Sequence, residues 1–228
     1  MRINHAATCA AVLAAACSGT ATIPTGGTSG QVLLLNALAT ATSATLRLDG
    51  SAVALPPAGA ATTLAVADGS HHIEALGPGN QVLAAADLQM SADDHRTAVL
   101  ASSAGSVSLL VSALDTAQAP LTDAIKARMV HTVPNAPAMD AYLFLTSEAA
   151  DSGTRIVSPF TYGTGTDPEF PGYAVRPPGE YLVWLKAAGT DNVLVQAGPV
   201  TLTAGHVYSF VLALNDAGEM ELRTVTEQ

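Results

Sequence analysis

Short apolar segments separated by Gly, Pro, Asn and Asp fill the chain after about residue 30. In EYLVWLKA (180–187), HVYSFVLAL (206–214) and EMELRTV (219–225), every second residue is apolar or large. Because side chains along a β-strand point alternately to opposite faces, this period of two predicts half-buried strands. The strands recur about every ten residues with turn residues between them, which is typical of an all-β sandwich or barrel.

One segment, LDTAQAPLTDAIKARM (114–129), has a helical pattern, and Pro120 interrupts it. Proline cannot donate the backbone hydrogen bond that a helix interior requires. We therefore predict a linker at 116–125 that contains no more than one helical turn.

The chain also contains an internal repeat, because residues 66–101 align with residues 175–213. We therefore predict two modules of similar size, 31–115 and 126–228, each a sandwich of about seven strands. The aligned features are Gly69 with Gly179, Val82-Leu83 with Val193-Leu194, and the turn SADD with the turn TAGH.

The first thirty residues have a different pattern. Arg2 precedes an apolar tract, AATCAAVLAA, and the small residues Ala14-Ala15-Ala16 come directly before Cys17. This order is typical of a secretory signal peptide, and it resembles the signal of bacterial lipoproteins. The resemblance implies cleavage after residue 16 and acylation of Cys17, although Ala14 stands where such signals usually have Leu. Cleavage by ordinary signal peptidase after the three alanines is the alternative.

Residues 17–30 continue from Cys17 as SGTATIPTGGTSG, which is rich in Gly, Ser and Thr and has no periodicity. Such a composition predicts a flexible tether between the anchor and the folded modules. Ser18 follows the cysteine in place of the Asp that favours retention at the inner membrane, so we expect the outer membrane of a bacterial envelope. The membrane is then a partner through the N-terminal lipid.

The composition and motifs of the chain argue against nucleic-acid binding and against the common enzyme classes. Lys and Arg number 9 against 19 Asp and Glu, which leaves no basic stripe for nucleic acid. Both cysteines, Cys9 and Cys17, lie in or beside the predicted signal peptide, so neither a disulfide nor a thiol nucleophile is expected in the modules. The sequence contains no Gly-x-Ser-x-Gly, HExxH, P-loop or dinucleotide motif. We therefore predict no enzymatic activity and no cofactor.

The histidines do not predict a metal site. His71 and His72 are neighbours on a predicted strand, so their side chains point to opposite faces. His95 follows two aspartates in the SADD turn, where a solvated acidic turn is the better interpretation. For His131 we expect a hydrogen bond with Asp140 that fixes the intervening Pro-rich turn.

All ten aromatic residues lie in the second module. Alternation places Tyr181, Tyr208 and Phe210 in its core. The segment SPFTYGTGTDPEFPGY (158–173) instead has the composition of a long loop, and loops on a rigid scaffold often carry binding residues. Its candidate ligand-binding residues are Phe160, Tyr162, Asp167, Glu169, Phe170 and Tyr173.

Three stretches of the second module resemble the bacterial domain-of-unknown-function family 4397: ARMVHTVPNAPAMDAYLFL, GYAVRPPGEYLVWL and VTLTAGHVYSFVLAL. The first module lacks the two turn prolines and joins the family through the internal repeat. The resemblance implies tandem β-sandwiches of immunoglobulin-like or prealbumin-like kind in an envelope protein, and it brings no catalytic residues.

These observations favour a non-catalytic envelope lipoprotein with an interaction, adhesion or structural role. Its expected partners are other envelope proteins or polysaccharide. The alternative is a carbohydrate- or peptide-binding module that uses the aromatic loop 158–173. Exposed loop aromatics around a groove would favour the alternative, and a packed loop would favour the scaffold.

Overall fold

The structure is a computed structural model that describes residues 29–39, 44–103, 106–112, 121–148, 153–163 and 172–227. These residues form β-strands and a single short 3-10 turn, Pro78–Asn80. The predicted all-β, two-module sandwich is therefore confirmed. Within these ranges no helix has the length and apolar character needed to cross a membrane. The predicted signal peptide, Cys17 and the tether up to residue 28 lie outside the described residues.

The first module consists of two four-stranded sheets. Sheet I has the order β4-β1-β7-β8 and sheet II the order β3-β2-β5-β6. All neighbouring strands are antiparallel except β1 and β7, which are parallel. The strands are β1 Ser29–Ala37, β2 Thr45–Leu48, β3 Ser51–Val53, β4 Ala61–Ala67, β5 Gly69–Leu76, β6 Val82–Met90, β7 His95–Ser103 and β8 Ser106–Val111.

The second module repeats this connectivity. Sheet III has the order β12-β9-β15-β16 and sheet IV the order β11-β10-β13-β14, with β9 and β15 as the parallel pair. In its described residues each module therefore has eight strands where about seven were expected. The strands are β9 Ile125–His131, β10 Met139–Leu145, β11 Thr154–Phe160, β12 Ala174–Arg176, β13 Gly179–Ala187, β14 Val193–Leu202, β15 Val207–Leu214 and β16 Met220–Thr226.

The strand order can be compared with that of the immunoglobulin fold, one of the two kinds of sandwich that the family resemblance implied. In the immunoglobulin arrangement the first strand shares a sheet with the second, fourth and fifth. Here β1 pairs with β4 and β7, and β2 lies in the opposite sheet. The strand order is therefore not the immunoglobulin one.

Each sandwich encloses its own apolar core, because alternate residues of its strands point between its two sheets. In the first module this core contains Val32, Leu34, Leu46, Ile73 and Leu100 among others. The second module adds aromatic side chains, and the predicted burial of three of them is correct. The buried aromatic residues of this core are Phe160, Tyr181, Tyr208 and Phe210.

The two sandwiches pack against each other through sheets I and III. A third apolar cluster lies between these sheets, so β1, β7, β9 and β15 are covered on both faces. The chain near β4 also pairs with the end of β16, through a parallel bridge between Ala60 and Thr226. The result is a stack in the order sheet II, sheet I, sheet III, sheet IV. The buried residues of the third cluster are Leu35, Ala37, Val99, Ala101, Val130, Val211, Ala213 and Val225.

A buried charged cluster accompanies this interface. Arg128 on β9 is 1% exposed, and its Nε donates to Ser209 Oγ at 2.9 Å and to Glu227 Oε1 at 2.8 Å. Its Nη2 donates to Thr97 Oγ1 of the first module at 3.2 Å. Tyr173 donates to Glu227 Oε2 at 3.0 Å, and its ring centroid lies 5.0 Å from the guanidinium carbon. The cluster therefore connects both modules.

The connection between the modules is short. Strand β8 ends at Val111 and β9 begins at Ile125, one residue before the predicted start of the second module. Residues 121–124 form a turn, and residues 113–120, which include 116–120 of the predicted linker, lie outside the described residues.

Candidate functional site

The structure separates the aromatic residues that the sequence grouped in loop 158–173. Phe160 is the last residue of β11 and is fully buried, with its ring centroid 4.8 Å from that of His131. Tyr173 lies in the Arg128 cluster, where it bonds to Glu227. Tyr162 is 50% exposed and follows β11 directly. Phe160 therefore has no surface that a ligand could contact, whereas half of Tyr162 is accessible.

Three other candidates of this loop, Asp167, Glu169 and Phe170, lie outside the described residues. Tyr162 is thus the one exposed aromatic candidate that the structure describes in loop 158–173.

The expected hydrogen bond between His131 and Asp140 is not formed, and this prediction was wrong. The Asp140 carboxylate instead accepts from Ser158 Oγ at 2.5 Å and from the Gly189 N–H at 3.0 Å, and these bonds lower its pKa. His131 accepts from the Val133 N–H at 3.3 Å through Nδ1. Burial of the ring lowers the pKa of His131 to about 4. His131 and Asp140 therefore bond to separate parts of the chain.

His71 and His72 point to opposite faces of β5, as the alternation predicted. Nδ1 of His71 lies 2.6 Å from Asp49 Oδ2, and Nε2 lies 2.8 Å from the Ala67 carbonyl oxygen. Burial disfavours the charged ring, but these bonds outweigh it and raise the pKa of His71. His72 lies 2.7 Å from Asp87, and this bond raises its pKa.

The acidic turn before β7 is held by its own backbone and by an arginine. Asp94 accepts from the Ser91 N–H at 2.9 Å and from Arg96 at 3.3 Å. No group of three or more His, Cys, Asp or Glu side chains in the described ranges is arranged to hold a metal ion. His71, His72 and Asp94 therefore have local structural partners.

The outer face of sheet IV carries aromatic residues that the loop interpretation missed. Tyr142 on β10 pairs with Arg155 on β11 and with Trp184 on β13, and Trp184 pairs with Gln196 on β14. These four residues form a row across the whole sheet, which we call the aromatic row. Arg155 and Gln196 are exposed, and both rings are partly exposed.

Two neighbours hold the rings of the aromatic row in place. Phe144 is 2% exposed and contacts Trp184 edge to face, with 4.9 Å between ring centroids. The Lys186 ammonium lies 5.0 Å from the Tyr142 centroid and 5.9 Å from that of Trp184, and it donates to Asp191 at 3.1 Å. Aromatic residues fixed by such contacts form a pre-organised surface.

The equivalent outer face of the first module has a different chemistry. On sheet II, Arg47 pairs with Glu74, and His72 pairs with Asp87. No Phe, Tyr or Trp occurs in module 31–115. The stack therefore presents a charged face at one end and an aromatic face at the other.

A groove opens between β3 and β4 at the edge of the first sandwich. Its volume is about 420 Å³, and its walls are mostly the apolar side chains of Leu48, Val53, Leu64 and Val66, with His71 among the polar ones. Both ring nitrogens of His71 already face acceptors, so this histidine contributes no free polar atom to the groove.

The sequence did contain a pattern that could have indicated the aromatic row. Tyr142 and Phe144 are two residues apart on one strand, and Trp184 and Lys186 are two residues apart on another. Tyr181, Val183 and Leu185 occupy the other face of β13 and are buried. Because side chains alternate along a strand, core positions for those three residues put Trp184 and Lys186 on the outer face.

Comparison with known proteins supports the family. Residues 30–142, about half of the chain, match the model of a family described as "Domain of unknown function (DUF4397)". The match covers the first module, β9 and the start of β10, whereas the resemblance in the sequence was based on the second module. The search of curated proteins gave no match.

One of the solved structures that match this chain is "The Bacillus anthracis TIE protein". It shows 10% identity and a TM-score of 0.25, over 86% of this chain and 34% of that chain. The chain thus spans about one third of the length of that solved chain.

Proposed function

We propose that this protein is a non-catalytic lipoprotein of a bacterial envelope whose two sandwiches act as one rigid interaction unit. The observation that carries the proposal is the covered interface between sheets I and III. Apolar side chains and the Arg128 cluster join the modules there. A joined stack holds its two outer sheets in a fixed relation, which suits a protein that presents a surface to a partner.

The anchor in this proposal is Cys17. Arg2, the apolar tract and the three alanines precede it in the order of a lipoprotein signal, and Ser18 favours the outer membrane. About twelve residues separate Cys17 from the start of β1, so a flexible tether of this length would span about 20 Å. The expected partners are other envelope proteins or polysaccharide.

A second candidate, a carbohydrate- or peptide-binding role, is favoured by the aromatic row. Loop 158–173 supplies less support for it, because Phe160 packs in the core and Tyr173 packs against Arg128. Tyr162 keeps half of its surface exposed and remains a candidate contact.

The anchor is tested by expressing the full chain and a Cys17→Ser variant in a Gram-negative host. We expect the unmodified protein in the membrane fraction, with acyl chains on Cys17 in the mass spectrum of its N-terminal peptide. The variant should be released in soluble form. An N-terminus without acyl chains, or one that starts at Cys17 but stays in the soluble fraction, would contradict the anchor and favour ordinary signal peptidase.

A further inference from the structure

We propose that the outer face of sheet IV is a binding site for an uncharged polysaccharide chain. The proposal deepens the proposed interaction role by naming the surface and the class of ligand. It does not depend on the lipid anchor.

The first observation that supports a polysaccharide site is the geometry of the aromatic row. Arg155, Tyr142, Trp184 and Gln196 are register partners on four adjacent strands. Since neighbouring strands lie about 4.8 Å apart, the row is about 14 Å long. The two rings in its middle offer apolar surface for the C–H faces of sugar rings, and the amide and guanidinium at its ends can bond to hydroxyl groups. An extended sugar chain has this alternation of apolar faces and polar edges.

Lys186 lies over the two rings with its side chain 13% exposed. Its ammonium lies above Tyr142 and Trp184, and its ion-pair partner Asp191 is fully exposed to solvent. A single cation–π contact and an ion pair with an exposed partner are each weak interactions. A sugar ring can therefore displace the ammonium from the aromatic faces, and the three N–H groups of Lys186 can then donate to its hydroxyls.

The Trp184 indole N–H supports the same conclusion. It is buried and has no hydrogen-bond partner in the described part of the chain. A buried donor without an acceptor costs free energy. A ligand hydroxyl that reaches this position once Lys186 moves would recover part of that cost.

The charge of this face favours an uncharged ligand over an anionic one. Arg155 and Lys186 are balanced by Asp140 and Asp191, and Asp140 already accepts from Ser158 and Gly189. The charges beside the aromatic row are therefore close to balanced, on a chain whose net charge is −10. An anionic polymer would be repelled by the molecule as a whole, whereas an uncharged glycan is not affected.

The last supporting observation is the difference between the outer faces of sheet II and sheet IV. Sheet II has the same strand order as sheet IV, yet its outer face carries Arg47, His72, Glu74 and Asp87. Solvated charges are the ordinary surface of an outer sheet, so the fold does not itself require aromatic rings there. Partly exposed rings on one of two equivalent faces are typical of a binding surface.

The test uses the purified full chain and three soluble uncharged polysaccharides: a β-glucan, a galactomannan and dextran. Trp184 is the single tryptophan of the chain, so its fluorescence reports directly from the site. We expect a saturable change in emission with at least one polysaccharide, and we expect it to persist at about 0.5 M salt, where exposed charge interactions are screened.

Variants locate the site. By calorimetric titration, Tyr142→Ala should weaken binding about tenfold or more, which is about 1.4 kcal/mol, whereas Tyr142→Phe should retain it. Gln196→Ala should also weaken binding, and it keeps both rings if Tyr142→Ala fails to fold. The matched control His72→Ala, on the outer face of sheet II, should bind like the unmodified protein, and Tyr162→Ala, in the loop, should weaken binding less than Tyr142→Ala does.

Three results would overturn the proposal: no saturable binding of any of the three polysaccharides, binding that Tyr162→Ala abolishes while Tyr142→Ala retains it, or binding of a peptide or an anionic polymer alone. The Cys17→Ser variant keeps the two proposals apart. Loss of membrane attachment with unchanged polysaccharide binding would leave this inference intact, and the reverse would leave the anchor intact.

Discussion

At the scale of single residues, His131 is an ionisable group that the fold holds in one charge state. Its ring is 0% exposed, lies against Phe160, and accepts one backbone N–H through Nδ1. The proton of the neutral ring is then on Nε2, which has no partner among the described residues. Protonation would bury a charge in this apolar environment, which is why the pKa falls to about 4.

This produces a definite pH dependence. In the unfolded chain His131 takes up its proton near pH 6.5, whereas in the folded protein it does so only near pH 4. The unfolded state therefore binds more protons between these values, and stability falls as the pH falls through this window. For one group the slope is at most about 1.4 kcal/mol per pH unit. We expect urea unfolding between pH 6.5 and 4 to show this slope, and His131→Gln to remove it.

Other histidines change the stability with pH in the opposite direction. The contribution of His131 is therefore the difference in pH dependence between the unmodified protein and His131→Gln. The raised pKa values of His71 and His72 add stability below pH 6.5 that is lost as the pH rises through their folded values. NMR titration of the imidazole protons in the unmodified protein gives an independent check. A His131 resonance that titrates near pH 6.5 would contradict the prediction.

Residue roles could be predicted from the sequence where alternation determines them. Tyr181, Tyr208 and Phe210 are buried as their strand positions required. Asp140 was assigned the wrong partner because Ser158 and Gly189 reach it from distant parts of the chain. Such contacts depend on sheet order, which the apolar pattern does not contain.

At the scale of elements, a bulge in the pairing of β13 with β14 centres on Gly198. Tyr181 pairs with Val200 and Val183 with Ala197, so β14 contains one extra residue there. Gly198 has φ +107, and a Cβ on it would lie 2.6 Å from the Tyr181 carbonyl oxygen. The bulge thus needs a residue without a side chain, for its backbone angle and for space.

Gly198→Ala should therefore destabilise the protein by about 3 kcal/mol, from the backbone strain and the contact together. The matched control is Gly189→Ala, which has φ +72 and no atom within 4 Å of the added Cβ. This control should lose only about 1 kcal/mol, from backbone strain. Chemical denaturation measures both, and equal losses would show that the close approach to Tyr181 has no energetic effect.

Strand positions were well predicted because turn residues mark them locally. Gly69 and Gly179 open β5 and β13, and Val82 and Val193 open β6 and β14. The aromatic row was missed for a different reason. It joins four strands through their register, and only the order of sheet IV shows that Arg155 and Gln196 flank the two rings.

At the scale of the whole molecule, the two sandwiches share one buried interface. The apolar runs of β1 and β15 continue on both faces because one face fills a sandwich and the other meets the second module. Arg128 and Glu227 lie in this interface at 1% and 9% exposure. The ion pair is desolvated, so its members stabilise the stack only while they remain together.

Arg128→Met should consequently destabilise the protein by roughly 3–5 kcal/mol, because it leaves the Glu227 carboxylate buried without its cation. The double variant Arg128→Met/Glu227→Met should recover most of the loss, since the buried charge is then absent as well. Urea unfolding of both variants at neutral pH measures the two effects.

The surface variant Asp191→Ala is the control, because it also breaks an ion pair, that with Lys186, but its carboxylate is fully exposed. It should leave the unfolding midpoint unchanged. If Arg128→Met behaved like Asp191→Ala, the cluster would not hold the modules together. If the double variant were as unstable as Arg128→Met, the loss would come from the missing bonds to Thr97 and Ser209 rather than from an uncompensated charge. If the double variant recovers the loss, the cause is an uncompensated charge within the second module rather than the broken bond to Thr97 of the first module.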